Sequence, residues 1–141
     1  MAEPTIFGSR EPGVQYTPRR AAYVVIYNDG GEVATVVGPG QKQFLPGGGS
    51  QPGESPEETC KREVSEELGR GVRLTRRLGE ALQYFYSEMD ERHYEMRATF
   101  FAGEFTDEVS GDGGHELRWL PPAWAEESFF HACHAWAARR G

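Results

Sequence analysis

Apolar side chains run without interruption from Ala21 to Tyr27, which predicts a strand buried on both faces. Asn28 to Gly31 supplies a turn and the β-branched stretch Glu32 to Val37 returns as a second strand, so the pair reads as a hairpin. Gly38-Pro39-Gly40 breaks the chain, Gln43 to Leu45 is short and extended, and Pro46 to Gly49 is a glycine-rich loop. From Ser55 the period becomes helical. Ser55 is the N-cap, Pro56 takes the first helical position, Glu58 completes a capping box and Gly69 ends the helix. Val72 to Leu78, Ala81 to Ser87 and an alternating stretch then read as three strands. In the last of these, Tyr94, Met96, Ala98 and Phe100 point one way and His93, Glu95, Arg97 and Thr99 the other. Thr106 to Gly114 reads as a loop and Glu116 to Leu120 as a short strand. Pro121-Pro122 opens a C-terminal helix with Phe129, Cys133 and Trp136 on one face.

Runs of strands separated by helices, in the order βββαβββ(β)α, predict an α+β fold built on a mixed sheet rather than a doubly wound parallel one. A chain of 141 residues is expected to form one domain over 1–141. Residues 1–18, polar and rich in Gly, Pro and Arg, are expected to wrap that domain or to be mobile. Gly 18 and Pro 9 together stay below the share that marks a disordered Pro/Gly-rich chain, so the sequence is expected to fold.

Charge narrows the function. With 15 Lys+Arg against 22 Asp+Glu, a net charge of -7 disfavours extended nucleic acid, while a small anionic substrate remains acceptable if a cation bridges it. Cys60 and Cys133 sit in helical segments and form no Cys-x-x-Cys pair, so a disulfide framework is not expected. No apolar run approaches the roughly 18 residues of a membrane span, and no signal-like N-terminus is visible. The expected location is therefore cytoplasmic, with no membrane partner, and a homodimer stays open.

Six of the 22 acids fall between Glu54 and Glu67. At 100° per residue, Glu63, Glu66 and Glu67 share one arc of the helix, beside the arc of Cys60, Val64 and Leu68 that faces the core. Like charges at these spacings weaken a helix by a few tenths of a kcal/mol per pair, a cost that a hard divalent cation removes. Such a cation also neutralises phosphate charge and acidifies water for attack on phosphorus. Arg62, four residues after Glu58 and four before Glu66, is placed to hold a carboxylate in one geometry. Composition and spacing alone leave a metal site and a solvated helix face as equal alternatives.

The residues Gly48, Glu54, Arg62, Glu63, Val64, Glu66, Glu67 and Gly69 resemble the Nudix box, Gly-x5-Glu-x7-Arg-Glu-U-x-Glu-Glu-x-Gly-U, in which U is bulky and aliphatic. Arg70 departs from the last position, and Val72 is the residue expected to do that packing. Leu45 to Gly48, the Glu-x-x-Trp at Glu116 to Trp119 and the strand order also resemble small bacterial, MutT-like members. The resemblance implies an α/β/α sandwich and a hydrolase of a nucleoside diphosphate linked to a moiety X, dependent on Mg²⁺ with Mn²⁺ as a substitute. It implies that Glu63, Glu66 and Glu67 bind the metal with the Gly47 carbonyl, and that Arg62 and Glu54 orient them. Glu63, Glu66, Arg62 and Glu116 are the catalytic candidates, Glu116 as an acid recruited before a late strand, with Glu104 behind it. Alternatives on the same fold are a nucleotide-sensing module and a prenyl-diphosphate isomerase. The intact box argues against the first, and the lack of a dedicated Cys/Glu pair against the second.

Arg19, Arg20 and Arg97 are possible phosphate clamps, and Tyr84, Tyr86 and Tyr94 possible base-stacking residues; surface and core roles compete for all six. Arg20, Arg97 and Tyr84 are taken as the substrate-binding candidates. His131, Cys133 and His134 do not read as a soft-metal site, because no second ligand pair accompanies them and Cys133 falls in the core stripe.

Overall fold

The structure is a computed structural model that describes residues 3–141. Its strands are β1 (Thr5–Phe7), β2 (Tyr16–Val25), β3 (Val33–Val37), β4 (Gln43–Phe44), β5 (Gly47–Gly49), β6 (Arg70–Ser87), β7 (Arg92–Val109) and β8 (Glu116–Leu120). Its α-helices are α1 (Pro56–Leu68), α2 (Pro122–Ser128) and α3 (Ala132–Ala138). Five strands form a mixed sheet in the order β1-β6-β7-β2-β5, and three form a smaller sheet in the order β4-β3-β8.

Strand β2 lies inside the large sheet, parallel to β7 and antiparallel to β5, and its alternation divides the core. Ala22, Val24 and Ile26 pack with Cys60 and Val64 of α1. Ala21, Tyr23 and Val25 pack with Ala125 of α2 and with Cys133 and Ala137 of α3. Helices thus cover both faces of the sheet, which is the expected α+β, α/β/α architecture. Local chemistry dictates α1: Ser55 and Glu58 form a reciprocal capping box, Pro56 starts the helix, and Gly69 closes it in the left-handed conformation at φ 65°. Val72 is buried in the α1-side core, and the Arg70 guanidinium stacks over Phe105 at 4.1 Å. The unusual residue in the box is accommodated in this way.

Several sequence expectations are corrected. The residues read as a hairpin keep only the bridge Tyr27↔Val33 before the strands part into different sheets. β3 pairs instead with β8, matching Val33 to Leu120 and Val37 to Glu116. The two strands expected over Val72–Leu78 and Ala81–Ser87 are one, β6, whose irregularities at Leu74/Arg76 and Arg77/Gly79 keep it paired to β7. Thr106 to Val109 extends β7 rather than opening a loop, because Arg70 pairs with Val109 and Val72 with Phe105. Gly47–Gly49 is a short strand on β2. The single C-terminal helix is two, since Phe129 bridges to Gln43 and the Phe130 N–H donates to the Gln43 carbonyl, drawing this segment onto β4. Within the expected lead-in, β1 runs parallel to β6 and Tyr16 to Pro18 pairs with β7; Met1 and Ala2 lie outside the described residues.

Candidate active site

The N-terminal half of α1 and the glycine strand β5 meet through Arg62. Its Nε and Nη2 donate to the two oxygens of Glu54 at 2.6 and 3.0 Å, and Nη2 also donates to the Gly49 carbonyl at 2.9 Å. Nη1 donates to Glu63 at 2.9 Å and to Glu66 at 3.1 Å. One planar guanidinium therefore fixes three carboxylates and the glycine backbone together. Glu54 accepts further hydrogen bonds from the Gln51 N–H and the Thr59 hydroxyl. The Arg62 hydrogen bond, followed by that from Gln51, holds its carboxyl down at about 2.

Glycine is required where β5 passes α1. Gly47 has φ +140° and a Cβ there would lie 2.2 Å from the Ala22 carbonyl oxygen. A Cβ on Gly48 would lie 2.8 Å from the Glu63 carboxylate carbon, so the acid packs directly on bare backbone. The Gly47 N–H donates to Glu67 Oε1 at 3.1 Å. Burial, then the charges of Glu63 and Glu66, push the Glu67 carboxyl up to about 8 against that hydrogen bond. Burial likewise raises Glu63, and Arg62 opposes it.

Glu63, Glu67 and Gly47 to Gly49 line a cleft of about 330 Å³. Phe44, Phe85, Phe130 and His131 give it an aromatic section, and Arg19, Lys42 and His115 bring basic groups to it. The His131 imidazole is held neutral, its pKa lowered to about 3 by burial and then by the charges of Arg19 and Lys42. The His115 position is secured by the preceding loop, which the sequence suggests is flexible but which docks on the end of α1. There the Gly114 and His115 N–H groups donate to the Glu66 and Glu67 carbonyls, and Ser110 N–H to that of Gly69.

The structure thus gathers Gly47, Glu63, Glu67, Arg62, Glu66 and Glu54 in one place. Glu66 is largely exposed and turned to Arg62. Other nominated residues lie outside the cleft lining. Glu116 is exposed at the start of β8 and pairs with Arg118, and Glu104 pairs with Arg73. Arg20 and Arg97 are exposed register partners on β2 and β7, and Tyr84 packs edge-on against Tyr16. Missing from the nominated set are Phe44, Lys42, Phe130 and His131. The last two gave only a helical pattern, and the break that sets them against the cleft depends on pairing with Gln43.

The donor chemistry fits a hard divalent cation: carboxylate oxygens on one helical face, one of them buried and short of neutralisation, beside glycine backbone. Among the described residues no group of three or more His, Cys, Asp or Glu side chains is preformed as an ion site. Glu63 and Glu66 are engaged by Arg62, and Glu67 by Gly47.

A family model, the NUDIX domain, matches residues 17–139. This chain belongs to the NUDIX family. Solved structures agree on the fold. A NUDIX hydrolase from Nitrosomonas europaea superposes with TM-score 0.69 at 18% identity, covering 88% of each chain. The E. coli dihydroneopterin triphosphate pyrophosphohydrolase gives 0.64 at 16% identity, covering 85% of this chain and 92% of its own. A C. elegans Ap4A hydrolase gives 0.64 at 17%, covering 86% of this chain and 93% of its own. No curated protein sequence gives a significant match.

Proposed function

We propose that this chain is a divalent-cation-dependent hydrolase that cleaves a phosphoanhydride bond in a nucleoside diphosphate linked to a moiety X. The E. coli pyrophosphohydrolase and the C. elegans Ap4A hydrolase share this fold over nearly their full extent. The observation that carries the proposal is the joint placement of Glu63 and Glu67 in a cleft, held by Arg62 and Gly47 beside a bare glycine backbone.

In this proposal Glu63, Glu66 and Glu67, with the Gly47 carbonyl, hold Mg²⁺ or Mn²⁺. When bound, the cation supplies positive charge against the phosphates and lowers the pKa of nearby water. The protein's own groups do the positioning. Arg62 and Glu54 keep the α1 carboxylates in register with β5, so that Glu63 and Glu66 act from fixed positions. The aromatic section, with neutral His131, offers a flat apolar slot with hydrogen-bonding capacity, which suits a nucleobase. A water oxygen bonds to phosphorus as the bridging P–O bond breaks, and its proton passes to a carboxylate, for which Glu116 and the α1 acids are proposed.

The test is incubation with nucleoside triphosphates, oxidised nucleotides, dinucleoside polyphosphates and nucleotide sugars, with Mg²⁺ and with excess chelator, reading out phosphate, pyrophosphate and nucleotide. Turnover of at least one class is expected with Mg²⁺ and none with chelator. On that substrate, Glu66→Gln and Glu67→Gln lower kcat by several orders of magnitude while the fold persists. Binding without turnover across the panel identifies a sensing module instead, and full activity in chelator removes the cation from the mechanism.

A further inference from the structure

Of the three arginines nominated as phosphate clamps, only Arg19 lines the cleft. Strand alternation puts Arg19 on the side of Ala21 and Tyr23, and Arg20 on the side of Ala22 and Val24. The Arg19 Nε is buried and has no hydrogen-bond partner among the described residues. The nearby acids Glu63 and Glu66 pair with Arg62 rather than with Arg19. A guanidinium left in this way is unusual, because its five N–H donors normally find carboxylate, carbonyl or water.

The surroundings hold it in place. The Tyr94 ring centroid is 5.7 Å from the guanidinium carbon. On another side Gly49 leaves room for it, since a Cβ there would stand 3.0 Å from Nη2. The Arg19 charge acts on Glu63, Tyr23 and His131, which border the same cleft. It is therefore a cation set between the carboxylates of α1 and the aromatic section.

We infer that Arg19 is an anion subsite of this cleft, donating through its guanidinium to oxygens of the substrate's diphosphate group. The inference rests on the phosphoanhydride reading and adds a second, protein-borne positive charge to the one brought by a cation. A planar fork suits two phosphate oxygens, which an ammonium at the same place does not match.

The probe is inorganic pyrophosphate with Mg²⁺, which carries neither base nor X, so the result does not depend on the identity of the substrate. Calorimetric titration is expected to show binding to the wild type and roughly 10-fold or more weakening in Arg19→Gln, with a smaller loss in Arg19→Lys. Arg77→Gln, which removes the same charge from an exposed ion pair with Glu80, is expected to bind as the wild type does. Titration of Mn²⁺ alone is expected to be unchanged in Arg19→Gln, which separates loss of the subsite from loss of the cation site. In the unmutated protein, the Arg19 Nε–H resonance is expected to move on addition of Mg²⁺ and pyrophosphate. Unaltered binding in Arg19→Gln, an equal loss in Arg77→Gln, or an unmoved Arg19 resonance overturns the inference. The resonance does so whether or not the variants fold.

Discussion

Arg62 touches Glu54, Glu63, Glu66 and the Gly49 carbonyl, and its partners show why a box of spaced residues is legible in a sequence. Glu63 and Glu66 reach it along one helix, and Glu54 from just before the same helix, so spacing in the chain is close to spacing in the structure. Glu116 is the opposite case. Its place depends on β8 finding β3, and its side chain pairs with Arg118 outside the cleft lining, although His115 beside it reaches the cleft. If Glu116 is the proton acceptor, Glu116→Gln lowers kcat roughly 10²–10⁴-fold with little change in KM. Steady-state kinetics on the identified substrate decides this, and an unchanged kcat leaves the proton to a carboxylate of α1. From the sequence, Arg20 rather than Arg19 is taken as the substrate-binding candidate, whereas Arg19 lines the cleft; from Ala21 onward both faces of β2 are apolar, so alternation gives no sign to separate the two. Only the neighbouring β5 and the cleft give the two arginines different surroundings.

Among the elements, α1 was readable to its caps because its start and stop are local chemistry. The β2/β3 turn was equally readable, but turn chemistry does not specify how far the pairing continues, and β3 is drawn away by β8 from the far end of the chain. The break between α2 and α3 has the same origin, and it buries His131 and His134. Leu45 N–H donates to His134 Nδ1 at 3.0 Å, linking α3 to the segment that enters β5. Burial puts His134 well below the usual 6.5, and burial with nearby positive charge puts His131 at about 3. Below about pH 6.5 the unfolded chain therefore binds protons that the native chain refuses, and stability falls as pH drops toward 3. Glu67 has the opposite sign, since a carboxyl raised from 4.5 to about 8 makes the metal-free fold less stable as pH rises between those values. Glu67→Gln removes that opposing slope. In that background the urea midpoint is expected to be lower at about pH 5 than at about pH 7.5. His131→Gln is expected to shrink the difference, and a midpoint indifferent to pH would show that neither histidine is held neutral.

For the whole molecule, 22 acids against 15 basic residues give a net charge of -7, and part of that excess is concentrated where α1 meets β5. Two effects of added cations then have to be separated. Any salt screens the long-range repulsion, more strongly as the Debye length falls, whereas a site built from Glu63 and Glu67 binds a divalent ion in the native state alone. Site binding at a hundredfold excess over Kd stabilises by about 2.7 kcal/mol, which for a chain of this size raises Tm by roughly 10 °C. Mg²⁺ is therefore expected to raise Tm well beyond NaCl at equal ionic strength. Glu63→Gln and Glu67→Gln are expected to lose the Mg²⁺ increment while keeping the response to NaCl. Because Glu67 Oε1 accepts the Gly47 N–H and a glutamine carbonyl can do the same, that variant retains the local backbone contact. Thermal scans in the two salts read the difference directly. Equal shifts in Mg²⁺ and NaCl, or an Mg²⁺ increment that survives both substitutions, would place the stabilisation in the general field of the acidic surface and leave α1 without a cation site.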